Sequence, residues 1–196
     1  MLDDRFALNV ARDAICRAVS YINVRDIIYE DFVNYKKASM LVAMPNCNMK
    51  CNLEAGCEVC HNKKLLEVPI VRINEIDLIK RYINNQITHA VVFQGMEPLY
   101  NSPDNERLFR HKVNPYTVGL FARKLRRFGC NDDVVVYTGF TEEELLTDNA
   151  IEILKELVGR NLIIKFGRYL PGHEPHFDSV LGVDLASDNQ YAKQIC

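Results

Sequence analysis

Four of the seven cysteines fall within one stretch of fourteen residues, at Cys47, Cys51, Cys57 and Cys60. The other three are scattered along the chain: Cys16, Cys130 and Cys196. Thiolates are ligands for soft metals, and a loop that carries them at short intervals can close around a metal centre. Because intracellular proteins seldom keep structural disulfides, so tight a cluster predicts metal or redox chemistry.

The spacing of these cysteines is compatible with more than one kind of centre. Cys47 and Cys51 form a Cys-x₃-Cys pair, and one further cysteine would complete an iron–sulfur cluster with one open iron. All four thiolates together could instead hold a structural zinc ion, although Cys57 follows Cys51 after only five residues. A third reading is a set of free or redox-active thiols. The spacing alone leaves these alternatives open.

Apolar strands alternate with amphipathic helices along the chain. Apolar runs predict strands over residues 39–44, 88–94, 132–139 and 161–167. Helical spacing predicts helices over residues 74–84 and 116–128, and another that begins near residue 141 and runs toward residue 158. This alternation predicts an α/β fold with a parallel sheet and crossover helices.

Local signals place the ends and faces of these helices. Asn74 is predicted to cap the first, and Thr141 with Glu144 forms a capping-box pattern at the third. Two sets of residues are expected to face inward: Ile76, Ile79 and Ile83, and Phe121, Leu125 and Phe128. The basic run Arg123-Lys124 and Arg126-Arg127 is expected to lie on a solvated helix face, with a docking patch for an acidic partner as the alternative.

Unusual residues follow three of the predicted strands, at 45–47, 94–97 and 137–139. The carboxyl ends of parallel strands meet at one edge of a sheet and carry the chemistry of such folds. We therefore expect the cysteine loop, Glu97, Thr138 and Gly139 to converge.

Two motifs in this order resemble the radical S-adenosylmethionine (SAM) superfamily. One is the Cys-Asn-x-x-Cys of Cys47 and Cys51, and the other is Gly95-Met96-Glu97-Pro98, which has Met96 where the superfamily has a second glycine. The resemblance implies a partial (βα) barrel, a [4Fe–4S] cluster and bound SAM. It also implies that the 95–98 segment receives the amino group of SAM through Glu97 and its backbone.

A closer resemblance is to the activating enzymes of anaerobic ribonucleotide reductase, which generate glycyl radicals. Four segments carry it: 32–34 (FVN), 57–62 (CEVCHN), 136–141 (VYTGFT) and 185–190 (LASDNQ). The resemblance covers about residues 21–195. Residues 21–196 are accordingly predicted to form one compact domain, and residues 1–20, which have helical spacing, an N-terminal extension.

The family's pattern favours Cys60 as the third cluster ligand beside Cys47 and Cys51. The family places an apolar residue near the adenine just before its third cysteine, and Val59 fits that position, with Cys57 the alternative ligand. Two other segments depart from the family: 34–37 reads Asn-Tyr-Lys-Lys, and 166–169 reads Phe-Gly-Arg-Tyr without the usual acid.

The resemblance implies reductive cleavage of SAM to a 5′-deoxyadenosyl radical, which takes a hydrogen from a glycine of a partner reductase. It implies that Thr138 and Gly139 also contact SAM, and that a small protein donates the electron. Asn189 is expected to contact SAM at the rim of the site, with a place at a sheet edge as the alternative. Two alternatives remain: a radical SAM enzyme that acts on another protein or a small molecule, and a zinc-stabilised α/β binding module without catalysis.

Composition narrows the class of protein. The net charge of −2 gives no global attraction to nucleic acid. No run of about 18 apolar residues is present, so we expect no membrane span. The first residues lack the basic start and apolar stretch of a secretory signal, which leads to an expectation of a cytoplasmic location.

Overall fold

The computed structural model describes residues 20–103 and 112–196, which contain ten strands and five α-helices. The strands are β1 (Tyr21–Val24), β2 (Asp26–Asp31), β3 (Ser39–Met44), β4 (Val71–Asn74), β5 (Ala90–Gly95), β6 (Asp133–Tyr137), β7 (Leu162–Phe166), β8 (His176–Asp178), β9 (Val183–Leu185) and β10 (Tyr191–Gln194). The helices are α1 (Lys50–Ala55), α2 (Glu75–Asn84), α3 (Tyr116–Arg127), α4 (Glu142–Thr147) and α5 (Ala150–Val158), with a 3₁₀ turn at Lys63–Glu67.

A six-stranded sheet in the order β10-β7-β6-β5-β3-β2 forms the centre of the protein. The four inner strands β3, β5, β6 and β7 are parallel, and the segments that join them contain all five helices. The edge strands β2 and β10 run antiparallel to their neighbours. The prediction of an α/β fold with a mostly parallel sheet and crossover helices is confirmed, but the described strands form an open sheet and not a closed barrel.

Apolar clusters cover both faces of the sheet. The larger one joins the helices to the sheet, and in it the rings of Phe93 and Phe121 meet edge to face at 5.4 Å. The smaller one lies on the other face and includes Tyr35, Val92 and Leu181. Strands that are buried on both faces read as continuous apolar runs, which is why β3 and β5 were predictable from composition alone.

The predicted helix starts are confirmed by their hydrogen bonds. The Asn74 side chain accepts from the backbone N–H groups of Ile76 and Asp77 at the start of α2. At α4, the Thr141 hydroxyl accepts from Glu144 N–H, and the Glu144 carboxylate accepts from Thr141 N–H. Both caps satisfy donors that the first helical turn leaves unpaired.

Two of the predicted inward positions were wrong. Ile83 is 40% exposed and Phe128 is 42% exposed. Ile79 is buried as predicted, and Leu78 and Tyr82 are buried in place of Ile83. The Tyr82 hydroxyl donates a hydrogen bond to the Asp132 carboxylate at 2.6 Å. Phe128 follows the last residue of α3, where the chain has already left the helix face that contacts the sheet.

The single helix predicted from residue 141 toward 158 is two helices. The helix is interrupted at Asp148 and Asn149, and Asn149 adopts the left-handed conformation with φ 56° before α5 begins. Asparagine tolerates this conformation better than most residues, so the break has a local cause.

The segment after Pro171, in which no periodicity was evident, contains the short strands β8, β9 and β10. The buried carboxylate of Asp178 ties them together by accepting from the N–H groups of Val180, Leu181 and Ala192. Strands of three or four residues are too short for periodicity to be visible in the sequence.

The basic run of α3 is not a uniformly solvated face. The Lys124 ammonium contacts the Glu75 carboxylate and donates to Ser20 Oγ at 2.6 Å, and Lys124 and Glu75 are both buried. The Arg126 guanidinium donates to four carbonyl oxygens, of Cys130, Asp132, Val158 and Arg160. At these two positions the prediction of a solvated face was wrong, because both cations are used inside the fold.

The predicted N-terminal extension, residues 1–20, lies outside the described residues apart from Ser20 and stays a prediction. In the part of the chain that the structure describes, no helix combines the length and the apolar character needed to cross a membrane.

Lys124→Ala should destabilise the protein by about 3–5 kcal/mol, because it leaves the charge of Glu75 buried without its partner. Lys155→Ala is the matched control, since Lys155 pairs with Glu152 on an exposed helix surface and should cost at most about 1 kcal/mol. Urea denaturation followed by circular dichroism measures both. Equal losses in the two variants would show that the buried pair contributes no more than a surface pair.

Candidate functional site

A cavity of about 350 Å³ lies at the carboxyl ends of the parallel strands, and we refer to it as the strand-end cavity. Residues that follow β3, β5, β6 and β7 all contribute to its lining, among them Cys47, Glu97, Thr138 and Gly167. The predicted convergence of the three unusual strand ends is therefore found. The fourth strand end, that of β7, was not expected to contribute.

Three of the four clustered cysteines line the strand-end cavity: Cys47, Cys51 and Cys60. Cys57 is exposed and is not among the lining residues. Burial raises the pKa of Cys51, and the Cys60 thiol, which lies within hydrogen-bonding reach of it, adds to the rise. The structure thus brings together the three thiols that the family resemblance favours as ligands.

The Cys47 thiol is electrostatically coupled to the rest of the site. Burial raises its pKa to about 11, although a hydrogen bond from Met49 N–H to Cys47 Sγ acts in the opposite direction. The charges of Glu97, Cys51 and Cys60 raise the pKa further. Glu97 and all three thiols line the same cavity.

Asparagine side chains shape the loop that carries the cysteines. Met49 adopts a left-handed conformation with φ 53°. The side-chain oxygen of Asn48 accepts from the backbone N–H of Lys50, the first residue of α1, which precedes Cys51. The side-chain oxygen of Asn52 accepts from Val59 N–H at 3.0 Å and so closes the loop between Asn52 and Val59. Val59 lines the cavity next to Cys60.

A second link ties the cysteine loop to the sheet. Asn62 Nδ2 donates to the carbonyl oxygen of Gly95, the last residue of β5, at 2.5 Å. Asn62 belongs to the Cys-x-x-Cys-x-Asn segment of the family resemblance, and this hydrogen bond supplies a physical reason for an asparagine two residues after Cys60.

The donor set of the cavity suits a soft metal, since three partly buried thiols lie against one buried carboxylate. Within residues 20–103 and 112–196, however, no three side chains of the types His, Cys, Asp and Glu are arranged as a ready-made metal site. Binding a cluster would therefore require the thiols to draw closer together. Cys47 lies on the short loop before α1, where such a movement involves few residues.

Gly95 brings the ends of β3 and β5 into contact. Its φ is 95°, and a Cβ atom there would lie 2.9 Å from Ala43 Cα and Met44 N, so only glycine fits. The next two residues continue the contact, because Met96 N–H donates to Met44 O and Glu97 N–H donates to Asn46 O. This contact holds Glu97 beside the cysteine loop, and Met96 lines the cavity.

Glu97 is 5% exposed and accepts three hydrogen bonds from the protein. Its Oε1 accepts from the Thr138 hydroxyl at 2.7 Å and from Leu99 N–H at 3.0 Å, and its Oε2 accepts from Gly139 N–H at 2.8 Å. Burial raises the pKa of this carboxyl above its ordinary value, although the hydrogen bonds oppose the rise. A carboxylate has about four acceptor positions, so one on Oε2 remains for a ligand.

Thr138 and Gly139 face the cavity but are already engaged with Glu97. The Thr138 side chain is 1% exposed, and a Cβ atom on Gly139 would lie 3.4 Å from Glu97 Oε2. The N–H of Gly139 and the hydroxyl of Thr138 therefore position the carboxylate. Any contact that these residues make with a cofactor must use their other atoms.

Lys165 is a cavity residue that sequence analysis missed. It is 7% exposed, and burial lowers its pKa to about 8, while the charge of Glu97 acts in the opposite direction. Its ammonium donates to Gly167 O at 2.7 Å, and Gln190 Nε2 donates to the same oxygen at 3.2 Å. The available signal was one lysine inside the apolar run of β7, next to its last residue.

The remaining predicted residues, Asn189 and Pro98, are not among those that line the cavity. Asn189 Nδ2 donates to Arg168 O at 2.8 Å, and its Oδ1 is buried without a partner. Its neighbour Gln190 reaches the cavity instead.

Comparison of the chain with protein-family models, with curated proteins and with solved structures gives no match.

Glu97→Gln should lower the free energy of unfolding by about 1–3 kcal/mol. The NH₂ group of glutamine would replace one accepting oxygen and would meet a buried donor, either Gly139 N–H or the Thr138 hydroxyl and Leu99 N–H. Glu152→Gln, on the exposed surface of α5, is the control and should change stability by less than about 0.5 kcal/mol. Urea denaturation at neutral pH measures the difference. A loss no larger than that of the control would mean that Glu97 does not join the strand ends.

Alkylation of Cys47 by a neutral reagent should be slow at pH 7 and should accelerate about tenfold per pH unit up to about pH 11. The thiolate is the reactive form, and burial keeps the Cys47 thiol protonated over this range. Peptide mapping by mass spectrometry measures the rate at each cysteine separately. A rate that levels off near pH 8 would contradict the raised pKa.

Proposed function

We propose that this protein is a radical SAM enzyme that generates a glycyl radical on anaerobic ribonucleotide reductase. Cys47, Cys51 and Cys60 would hold a [4Fe–4S] cluster, and SAM would occupy the strand-end cavity. The single observation that carries the proposal is that these three thiols and the buried carboxylate of Glu97 line the same cavity. The motifs that resemble the family supply the rest of the support.

The number of thiols in the cavity favours an iron–sulfur cluster over structural zinc. Structural zinc sites use four protein ligands, whereas a cubane held by three thiolates keeps one iron open for a small molecule. Cys57, which would be the fourth zinc ligand, is exposed and does not line the cavity. When bound, the cluster supplies the electron for reductive cleavage of SAM.

The chain's own residues would bind and orient the amino-acid part of SAM. The remaining acceptor position of Glu97 Oε2 suits an ammonium group, and the three donors on this carboxylate hold its direction. Val59 would contact the adenine, as the family resemblance implies. The backbone of Gly95 and Met96, at the tight contact between strand ends, would close the cavity on that side.

A radical SAM activating enzyme would also have a characteristic fold, cellular location and set of partners. The open, mostly parallel sheet would correspond to the partial barrel of radical SAM enzymes. The protein would act in the cytoplasm, receive its electron from a small donor protein and dock on a glycyl-radical protein. The alternatives named above, another protein or small-molecule substrate and a zinc-stabilised binding module, are outcomes of the experiments that follow.

Anaerobic reconstitution with iron and sulfide tests the proposal. We expect about four irons and four sulfides per chain, a reduced-cluster electron paramagnetic resonance spectrum that changes when SAM is added, and formation of 5′-deoxyadenosine. The single variants Cys47→Ala, Cys51→Ala and Cys60→Ala should each lose these signals, whereas Cys57→Ala should keep them. One tightly bound zinc per chain, with no cleavage of SAM, would leave only the binding module.

Addition of an anaerobic ribonucleotide reductase to the reduced protein and SAM tests the partner. We expect a glycyl radical signal on the reductase that depends on both the cluster and SAM. Cleavage of SAM without any radical on the reductase would assign the enzyme to another substrate.

A further inference from the structure

Four charged side chains connect helix α1 to the ends of the sheet, and we call them the α1 clamp. Lys50 and Glu54 lie on α1, Glu144 lies in the first turn of α4, and Arg168 follows β7. The α1 helix contains Cys51, so the clamp acts on the segment that carries a proposed cluster ligand.

The contacts of the clamp are numerous and close. Arg168 Nη2 donates to both oxygens of Glu144 at 2.6 and 2.7 Å, and Arg168 Nε lies 3.3 Å from Glu54 Oε2. The Lys50 ammonium contacts Glu144 Oε1 and lies 3.7 Å from Glu54 Oε1. Each cation thus contacts both carboxylates. Lys50–Glu144 and Arg168–Glu54 join α1 to the strand-end segments, Lys50–Glu54 lies within α1, and Arg168–Glu144 joins the two strand-end segments to each other.

The centre of the clamp is shielded from solvent. The side chains of Arg168 and Glu144 are 8% and 28% exposed. Burial works against ionisation of Glu144, but its hydrogen bonds from Arg168 and Lys50 prevail and lower its pKa to about 2. Charge pairs that are partly buried are weakened less by salt than pairs on the surface.

Helix α1 has little else to hold it in place. It has only six residues, none of them buried, and its N-cap residue Met49 makes no side-chain capping bond. Outside the clamp, two asparagine side chains hold it: Asn48 accepts from Lys50 N–H, and Asn52 accepts from Val59 N–H. Leu53, its one large apolar side chain, is 76% exposed. A helix this short is unstable by itself and normally depends on packing of an apolar face, which α1 does not have.

Further hydrogen bonds fix the two clamp residues that lie outside α1. Glu144 Oε2 also accepts from Thr141 N–H at 2.8 Å as part of the capping box of α4. Arg168 follows the end of β7, and its carbonyl accepts from Asn189 Nδ2. Both anchor residues therefore belong to the strand-end segments that carry Gly139 and Lys165.

We propose that the α1 clamp positions Cys51 in the strand-end cavity, so that Glu144 and Arg168 act as positioning residues for the proposed cluster. The clamp replaces the missing apolar contact of α1 with ionic contacts. This role for the clamp rests on the proposed function, because only a cluster-binding protein would need Cys51 held in the cavity. The clamp itself can be tested on the metal-free protein.

Glu144→Gln tests the clamp, because glutamine can still close the capping box but cannot pair ionically with Arg168 and Lys50. The measurement is the alkylation rate of each cysteine in the metal-free protein, with iodoacetamide and peptide mapping. We expect Cys51 to react about tenfold faster in the variant. The exposed Cys57 should react at the wild-type rate, and the melting temperature should stay within about 2 °C.

Two further variants complete the test. Arg168→Lys keeps the positive charge but has one nitrogen in place of the two that contact Glu144 and Glu54. It should therefore also speed alkylation of Cys51, which would exclude a change in thiol ionisation as the cause. Glu152→Gln, which breaks the exposed pair with Lys155 on α5, should change nothing. Wild-type alkylation rates at Cys51 in both Glu144→Gln and Arg168→Lys would overturn the proposal.

Reconstituted protein separates this inference from the proposed function. Glu144→Gln should bind the cluster but lose iron to a chelator about tenfold faster than wild type, with an unchanged rate in Glu152→Gln. If wild type binds no cluster while Cys51 still reacts faster in the clamp variants, the proposed function fails and the clamp stands. If the cluster forms and the clamp variants match wild type in both alkylation and chelation, only the clamp fails.

Discussion

The carboxylate of Glu97 joins the elements on which the site depends. It is buried where β5 and β6 end, and it accepts from its own turn through Leu99 and from the next strand end through Thr138 and Gly139. Glu97 N–H donates to Asn46 O, one residue before Cys47, so the same residue also holds the cysteine loop. One residue thus links three segments that lie far apart in the sequence.

A buried acid is costly unless its oxygens are satisfied, and here the satisfying donors are the strand ends themselves. The close approach at Gly95 makes this possible, because a Cβ atom would separate β5 from β3. Lys165 lowers the cost further by placing a positive charge nearby. Buried polar groups therefore lie together at one edge of an otherwise apolar sheet, where a polar ligand can bind to them.

Local signals in the sequence predicted much of the fold. The continuous apolar runs of β3 and β5 identified buried strands, and the caps at Asn74 and Thr141 marked helix starts, because both effects act over a few residues. Parallel strand order then implied that Cys47, Glu97 and Thr138 meet at one edge, and they do. Helix faces were less predictable, since Tyr82 points inward through a hydrogen bond to Asp132, fifty residues away.

The sequence by itself determined the alternation of strands and helices and the helix caps, since each depends on neighbours along the chain. Only the tertiary structure decided that Cys60 and not Cys57 lines the cavity, that Lys124 is buried against Glu75, and that Lys165 is buried in the lining of the same cavity as Glu97. These features arise from contacts between distant segments. The energy of a buried charge depends on partners and solvent exclusion that no local pattern of residues encodes.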